Sequence, residues 1–210
     1  MRLHQCLRAA FSAHDVARMR RNLQNIPAKA IAIQWPRERP APREAGVLVP
    51  LINWRDEAAV LFTLRSSDLR EHRGEVSFPG GQRDAGDATI EETALRETAE
   101  EIYVPRERVD VLGTFAPVPN KTNTTRVTPI VGFLGDVDPA QVRFNPSEVE
   151  AVFALTLRQL RDPALVSTRQ FRDTAIKYNV YAGGPAEVWG LTAIILAGVL
   201  KHVVVPSSVC

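Results

Sequence analysis

Three carboxylates, Glu97, Glu100 and Glu101, crowd into five positions of the stretch GGQRDAGDATIEETALRETAEEIYV, Gly80 to Val104. An α-helix turns about 100° per residue, so with Glu97 at zero, Glu100 falls about 60° to one side and Glu101 about 40° to the other. All three share a face, opposite a packing stripe of Leu95, Ala99 and Ile102. Like charges at these spacings destabilise a helix by only a few tenths of a kcal/mol, so a solvated acidic face is the plain reading. Two details point further. Glu100 and Glu101 sit near the C-terminal end, where the helix dipole disfavours anions. No lysine occurs between Lys29 and Lys121, which leaves Arg96 as the nearby cation. A hard divalent cation held by oxygens would remove the repulsion, and Mg²⁺ suits such a set because it keeps positions for water and substrate phosphates. Upstream, FPGGQ places Gly80 and Gly81 where a backbone approaches something closely or takes a positive φ. Beside the acidic helix this reads as a cradle next to a metal site.

These residues resemble a known signature. The stretch is similar to the Nudix box, G-x5-E-x7-R-E-U-x-E-E-x-G-U, with Arg96, Glu97, Glu100 and Glu101 on its R-E-x-x-E-E core and Val104 on its last apolar position. The spacing from Gly81 to Arg96 is one residue longer than in the standard box, Asp87 or Glu91 stands where its early Glu would be, and Tyr103 replaces its Gly. Directly upstream, LFTLRSSDLREHRGEVSFPGG, Leu61 to Gly81, resembles the L-L-T-x-R-S-x3-R-x3-G-x3-F-P-G-G motif of the coenzyme A pyrophosphatase branch, with only Phe62 departing. VTP at Val127 to Pro129, EVEAVF and WGLTA resemble further segments of that branch, so the likeness runs from about Gly46 to Leu200. Two motifs at fixed spacing make it specific.

The resemblance implies a Nudix-type α+β fold, a mixed β-sheet sandwiched between α-helices. It also implies hydrolysis of a pyrophosphate in the presence of Mg²⁺ or Mn²⁺. With coenzyme A as substrate the products would be 3′,5′-ADP and 4′-phosphopantetheine. Metal ions would neutralise phosphate oxygens, orient water and lower its pKa. Glu97 and Glu101 are the first candidates for ligands, with Glu100 a third ligand or a base. Arg96 is expected to orient Glu carboxylates by bidentate pairing or to form a helix-surface ion pair. Arg65 and Arg70 belong to the coenzyme A motif and would contact phosphate or brace the loop, with Gly80 and Gly81 as the cradle. Lys121, in PNKTNTT, is a mobile phosphate contact in the same reading, and His72 is a surface residue. The base is sought at Glu148 or Glu150. Strand alternation would put both on one face with Val152, and Val149, Ala151 and Phe153 on the other. Phe78 is expected to pack the cradle, and Trp189 to lie in the core.

Several elements must position these groups. GVLVPLIN and AAVLFTLR, separated by NWRDE, predict a hairpin. HRGEVSFPGGQRD reads as a loop and Thr89 to Ile102 as a helix, closed by Pro105. VDVLGTFAPV and RVTPIVGFLG predict strands around a polar loop. EVEAVFALTL is a strand leading to a helical turn, LVSTRQFRD and AIKYNVYAG a second hairpin, and PAEVWGLTAIILAGVLKHV a helix with a broad apolar face. Strands mixed with a few helices predict a mixed sheet with helices packed on it. Residues 1–45 read as an N-terminal helix, with Leu3, Leu7, Ala10, Phe11 and Met19 on one face, and a Pro-rich linker. Residues 46–205 form the main domain.

The chain has 210 residues and a formal charge of +2, enough for one sizeable core and too little charge for a nucleic-acid-binding face by itself. The partner expected is a small nucleotide such as coenzyme A, and a homodimer is compatible with it. Arg outnumbers Lys 22 to 4, from a GC-rich genome or from phosphate binding. Cys6 and Cys210 read as free thiols in a reducing compartment. The basic, amphipathic start has no secretory core. We read it as the first helix of a bacterial protein; in a eukaryote it would suit a mitochondrial presequence. The apolar run LTAIILAGVL is too short to span a bilayer. A soluble cytoplasmic protein is predicted. Two other readings stay open: another pyrophosphate substrate (a dinucleotide, an ADP-sugar or a capped RNA end), or a module that binds nucleotide or a partner protein without cleaving.

Overall fold

A computed structural model describes residues 9–27, 30, 43–68, 73–170 and 177–205. Cys6, Cys210, Arg70, His72, Leu3 and Leu7 lie outside the described residues. Helix α1, Ala13–Gln24, is followed by strands β1, Arg43–Trp54, β2, Glu57–Arg65, β3, Val76–Ser77, and β4, Gly80–Gln82. Helix α2, Ile90–Ile102, precedes β5, Asp110–Thr114, β6, Val118–Pro119, β7, Thr125–Val137, and β8, Val149–Thr156. A short α3, Leu157–Leu160, leads to β9, Val166–Gln170, β10, Lys177–Tyr181, and the closing helix α4, Gly190–His202.

Among the described residues, eight strands form one mixed sheet and β9 and β10 a separate antiparallel pair. The β1–β2 hairpin turns on Arg55 and Asp56, both with positive φ (52° and 62°), as a two-residue turn matched to strand twist requires. β1 runs parallel to β7 along its whole length. It pairs antiparallel with β2 only from Leu51 to Trp54. Beyond that the two strands part. β3 takes the freed edge of β2 at Thr63 and Leu64, and β4 takes the freed edge of β1 at Ala45 to Val47. The segment expected to be all loop therefore contributes two short strands, because the fork offers unpaired backbone groups on both sides.

Side chains alternate across the sheet. Leu48, Ile52, Ala59, Leu61 and Ile130 face α2, which contributes Ala94, Leu95 and Ile102. Val49, Leu51, Val60, Phe62 and Val131 face a second layer that includes Met19 and Leu23 of α1 and Ile195, Leu196 and Val199 of α4. Helix α1 begins at a capping box, Ser12 with Asp15, so Phe11 precedes the helix instead of lying on its face. Asn53 holds this entry, accepting from the Phe11 N–H at 2.6 Å. The expected boundary at residues 45 and 46 falls inside β1, and α1 packs into the same core as the sheet. Among the described residues no helix is long and apolar enough to cross a membrane.

Candidate active site

The fork between β1 and β2 is where the carboxylates gather. Helix α2 starts at Thr89, whose hydroxyl accepts from the Glu92 N–H, and stops at Tyr103 in the left-handed conformation (φ 53°). That is the position where the resembled motif has glycine, and a tyrosine takes glycine's conformation there. The buried side of α2 comprises Thr93, Ala94, Leu95, Thr98, Glu101 and Ile102. Ala99, expected in the packing stripe, is only half-buried. The three acids are thus graded instead of sharing one open face. Glu101 is 2% exposed, the Glu97 side chain 16% and the Glu100 side chain 51%.

Each buried acid is held by the glycine turn. The Gly80 N–H donates to Glu101 Oε2 at 3.3 Å. A Cβ on Gly81 would lie 2.5 Å from the Glu97 carboxyl carbon, so any side chain there would displace that carboxylate from its present place. Gly80 has φ 151°, and a Cβ there would meet the Gly46 carbonyl at 2.4 Å. Arg65, at the end of β2, reaches Glu101 Oε1 at 3.6 Å. Among the described residues its buried Nε has no hydrogen-bond partner.

Glu148 joins from the other side of the fork. Glu97, Glu101 and Glu148 each offer a carboxylate oxygen, all within 4.8 Å of one another. Glu148 is positioned by Asn145, whose side-chain amide donates to it at 3.0 Å and whose N–H donates to the Glu101 carbonyl at 2.8 Å. Glu150 does not come with it. The β2–β8 register slips between Leu64 and Arg65, which pair with Ala151 and Val149. This bulge breaks the expected alternation, leaving Glu150 exposed and away from the cleft lining. Glu100 also stands outside the cluster, paired with Arg96 at 3.0 Å.

Arg96 ties the loop to the helix. Its bidentate partner is Asp87, at 3.1 Å through both Nε and Nη2, and it also reaches Glu97 at 2.9 Å. Of the two candidates for the motif's early acid, Asp87 is the one paired with Arg96, and Arg96 with the Asp84 N–H holds its carboxyl far below the usual range. The buried pair behaves oppositely. Burial pushes the Glu101 carboxyl up to about 8, with Arg65 opposing and Glu97 adding to the rise. Burial also raises Glu97, with Arg96 opposing and Glu100 and Glu148 adding to the rise. Three acids converging with one cation in range of Glu101 make a site short of positive charge. Oxygen donors so placed fit a divalent cation, which would restore the ionised forms.

The cluster opens into a cleft of about 1000 Å³. Arg65, Lys121, Gly80 and Gly81 line it, as do Phe78, stacked on Phe62 at 5.3 Å, and Trp189. Trp189 is 41% exposed and not in the core. Arg43, which sequence reasoning did not single out, also lines it. Its signal was faint: an arginine in a Pro-rich stretch, placed at the cleft only by strand pairing.

Residues 42–175 match the family model of the NUDIX domain. A human protein named mitochondrial coenzyme A diphosphatase NUDT8 is 41% identical over 188 residues, covering 88% of this chain and 76% of that protein. The mouse protein of the same name is 38% identical, covering 90% and 88%. A Caenorhabditis elegans protein named Nudix hydrolase 3 is 34% identical, covering 92% and 87%. The crystal structure of a MutT/nudix family protein from Enterococcus faecalis shares the fold, with a TM-score of 0.51 at 19% identity over 81% of this chain and 65% of that one. With the family model spanning the sheet, the helix that carries Glu97 and Glu101 and the turn that carries Glu148, and relatives this similar over most of both chains, the chain belongs to the Nudix family.

Proposed function

We propose that the protein is a Nudix pyrophosphohydrolase that cleaves the diphosphate of coenzyme A or its derivatives, giving 3′,5′-ADP and 4′-phosphopantetheine. The observation that carries this reading is the convergence of Glu97, Glu101 and Glu148 in a cleft large enough for a nucleotide. The similarity to proteins named coenzyme A diphosphatases supplies the substrate.

Glu97, Glu101 and Glu148 would hold Mg²⁺ or Mn²⁺, which when bound neutralises phosphate oxygens and makes water more acidic. The protein's own part is positioning. Gly81 makes room for the Glu97 carboxylate, and the Gly80 N–H and Arg65 aim the Glu101 carboxylate. Arg96 clamps the turn bearing Asp87 to the helix and steadies Glu97. A water oxygen attacks one phosphorus, the bridging P–O bond breaks, and the proton released passes to a carboxylate, for which Glu148 is our assignment. Arg65 braces Glu101 in this scheme instead of reading a distant phosphate. Arg70 retains its motif-based role as a phosphate contact. A cytoplasmic location and a homodimer complete the proposal, checked by fractionation and by size-exclusion with light scattering.

The deciding experiment is product analysis by mass spectrometry of coenzyme A incubated with the protein and Mg²⁺ or Mn²⁺, alongside a dinucleotide, an ADP-sugar and capped RNA. The two named products are expected. No turnover of coenzyme A, with another diphosphate cleaved, would reassign the substrate.

A further inference from the structure

The cleft has two chemically different arms, and the carboxylates lie between them. Toward β6 it is polar and cationic. The turn after β6 is fixed by Asn120, whose Oδ1 accepts from the N–H groups of Thr124 and Thr125 at 2.9 and 3.1 Å. This turn carries Lys121 and Thr122 into the lining. Arg43 donates its backbone N–H to the Thr124 carbonyl at 3.1 Å and pairs with Thr125, so its side chain arises beside the same turn. Among the described residues neither Arg43 nor Lys121 has a carboxylate partner, whereas Arg83 and Arg126 both bind Glu44 and Arg65 faces Glu101.

Toward α4 the lining is mainly apolar, with Trp189, Leu191, Ile194 and Ile195 beside the hydroxyl-bearing Tyr178 and Thr192. The first turn of α4 is fastened to β3, with the Thr192 hydroxyl donating to the Val76 carbonyl at 3.1 Å. The carboxylates touch Gly80 and Gly81 of β4. From β4 across β1 and β7 to β6 are three strand spacings, roughly 14 Å.

We infer that this asymmetry sets the direction in which the substrate lies: the nucleotide half, with its 3′-phosphate, against Arg43 and Lys121, and the pantetheine half, with any acyl chain, against Trp189 and its apolar neighbours. The inference rests on the coenzyme A reading above. A phosphate monoester binds best to cations not already neutralised by carboxylates. An uncharged arm gains by removing apolar surface from water. The reverse orientation would press a hydrated dianion against a mainly apolar wall that, among the described residues, offers it no cation.

The test measures kcat/KM for coenzyme A, 3′-dephospho-coenzyme A and octanoyl-coenzyme A in the wild type, Arg43→Gln, Lys121→Gln, Trp189→Ala and Trp189→Phe. Effects are read as ratios within each variant, so a reduced folded fraction cancels. Arg43→Gln and Lys121→Gln should each lower the ratio of coenzyme A to 3′-dephospho-coenzyme A about tenfold and leave the octanoyl ratio unchanged. Trp189→Ala should lower the ratio of octanoyl-coenzyme A to coenzyme A about fivefold without moving the 3′-phosphate ratio, and Trp189→Phe should restore most of it. Equal losses on all three substrates, or an exchange of the two patterns, would overturn the orientation. A wild type that cleaves none of the three defeats the coenzyme A reading itself, a result separate from any pattern among the variants.

Discussion

Helices α2 and α4 both border the cleft, and each is 13 residues long, but they meet it in opposite ways. Helix α2 brings charge: its buried side includes Glu101, and Arg96 fixes it to the glycine turn. Helix α4 brings apolar surface: Leu196 and Val199 are buried beneath the sheet, Ile195 is buried where core and cleft meet, and Trp189, Leu191 and Ile194 line the cleft. One helix carries groups whose chemistry is costly to leave unpartnered. The other carries groups equally at home in a core or against a ligand. The difference teaches that a buried carboxylate announces a site, whereas a buried or half-buried aromatic announces nothing until its neighbours are known.

The contrast can be broken most severely at α2. Glu97→Gln and Glu101→Gln should each lower kcat at saturating Mg²⁺ by about 10²-fold or more, because a carboxamide cannot balance a cation's charge. Circular dichroism should be unchanged, and neutralising a buried acid should leave thermal stability intact or raised. Near-normal turnover in both would remove the ligand assignment and leave α2 a merely acidic helix.

The two sides of α4 can be separated next, through stability. Ile195→Ala should destabilise the fold by about 2–4 kcal/mol through lost burial and the cavity left behind. Trp189→Ala, at a partly exposed position, should destabilise it by less than about 1 kcal/mol. Denaturant midpoints with unchanged m-values would measure both. A Trp189→Ala penalty as large as that of Ile195→Ala would return the tryptophan to the core.

The smallest effect is expected where α2 ends. Tyr103 is left-handed and 55% exposed. Tyr103→Gly removes a conformational penalty of about 1–2 kcal/mol and adds unfolded-chain entropy of nearly the same size. The melting temperature should therefore rise by no more than about 4 °C. A fall instead would show that the exposed ring contributes contacts of its own.

Much of this was legible in the residues, and the reason is distance along the chain. The grouping of Glu97, Glu100 and Glu101 and the need for Gly80 and Gly81 follow from helix pitch and from the backbone freedom of glycine, which neighbouring residues alone decide. The β1–β2 hairpin and the start and end of α2 were read for the same reason. What the tertiary structure alone decided involves partners far apart. It buried Glu101 and left Glu100 in solvent, because the sheet covers only one side of the helix. It chose Glu148 over Glu150 through a single bulge against β2, and it gave Arg96 its partner in Asp87 by folding the loop back. It drew Arg43 and Lys121 to one arm of the cleft and Trp189 to the other, through strand pairings that no local spacing encodes. Local geometry selects which residues share a face; only long-range packing selects which of those faces loses its water.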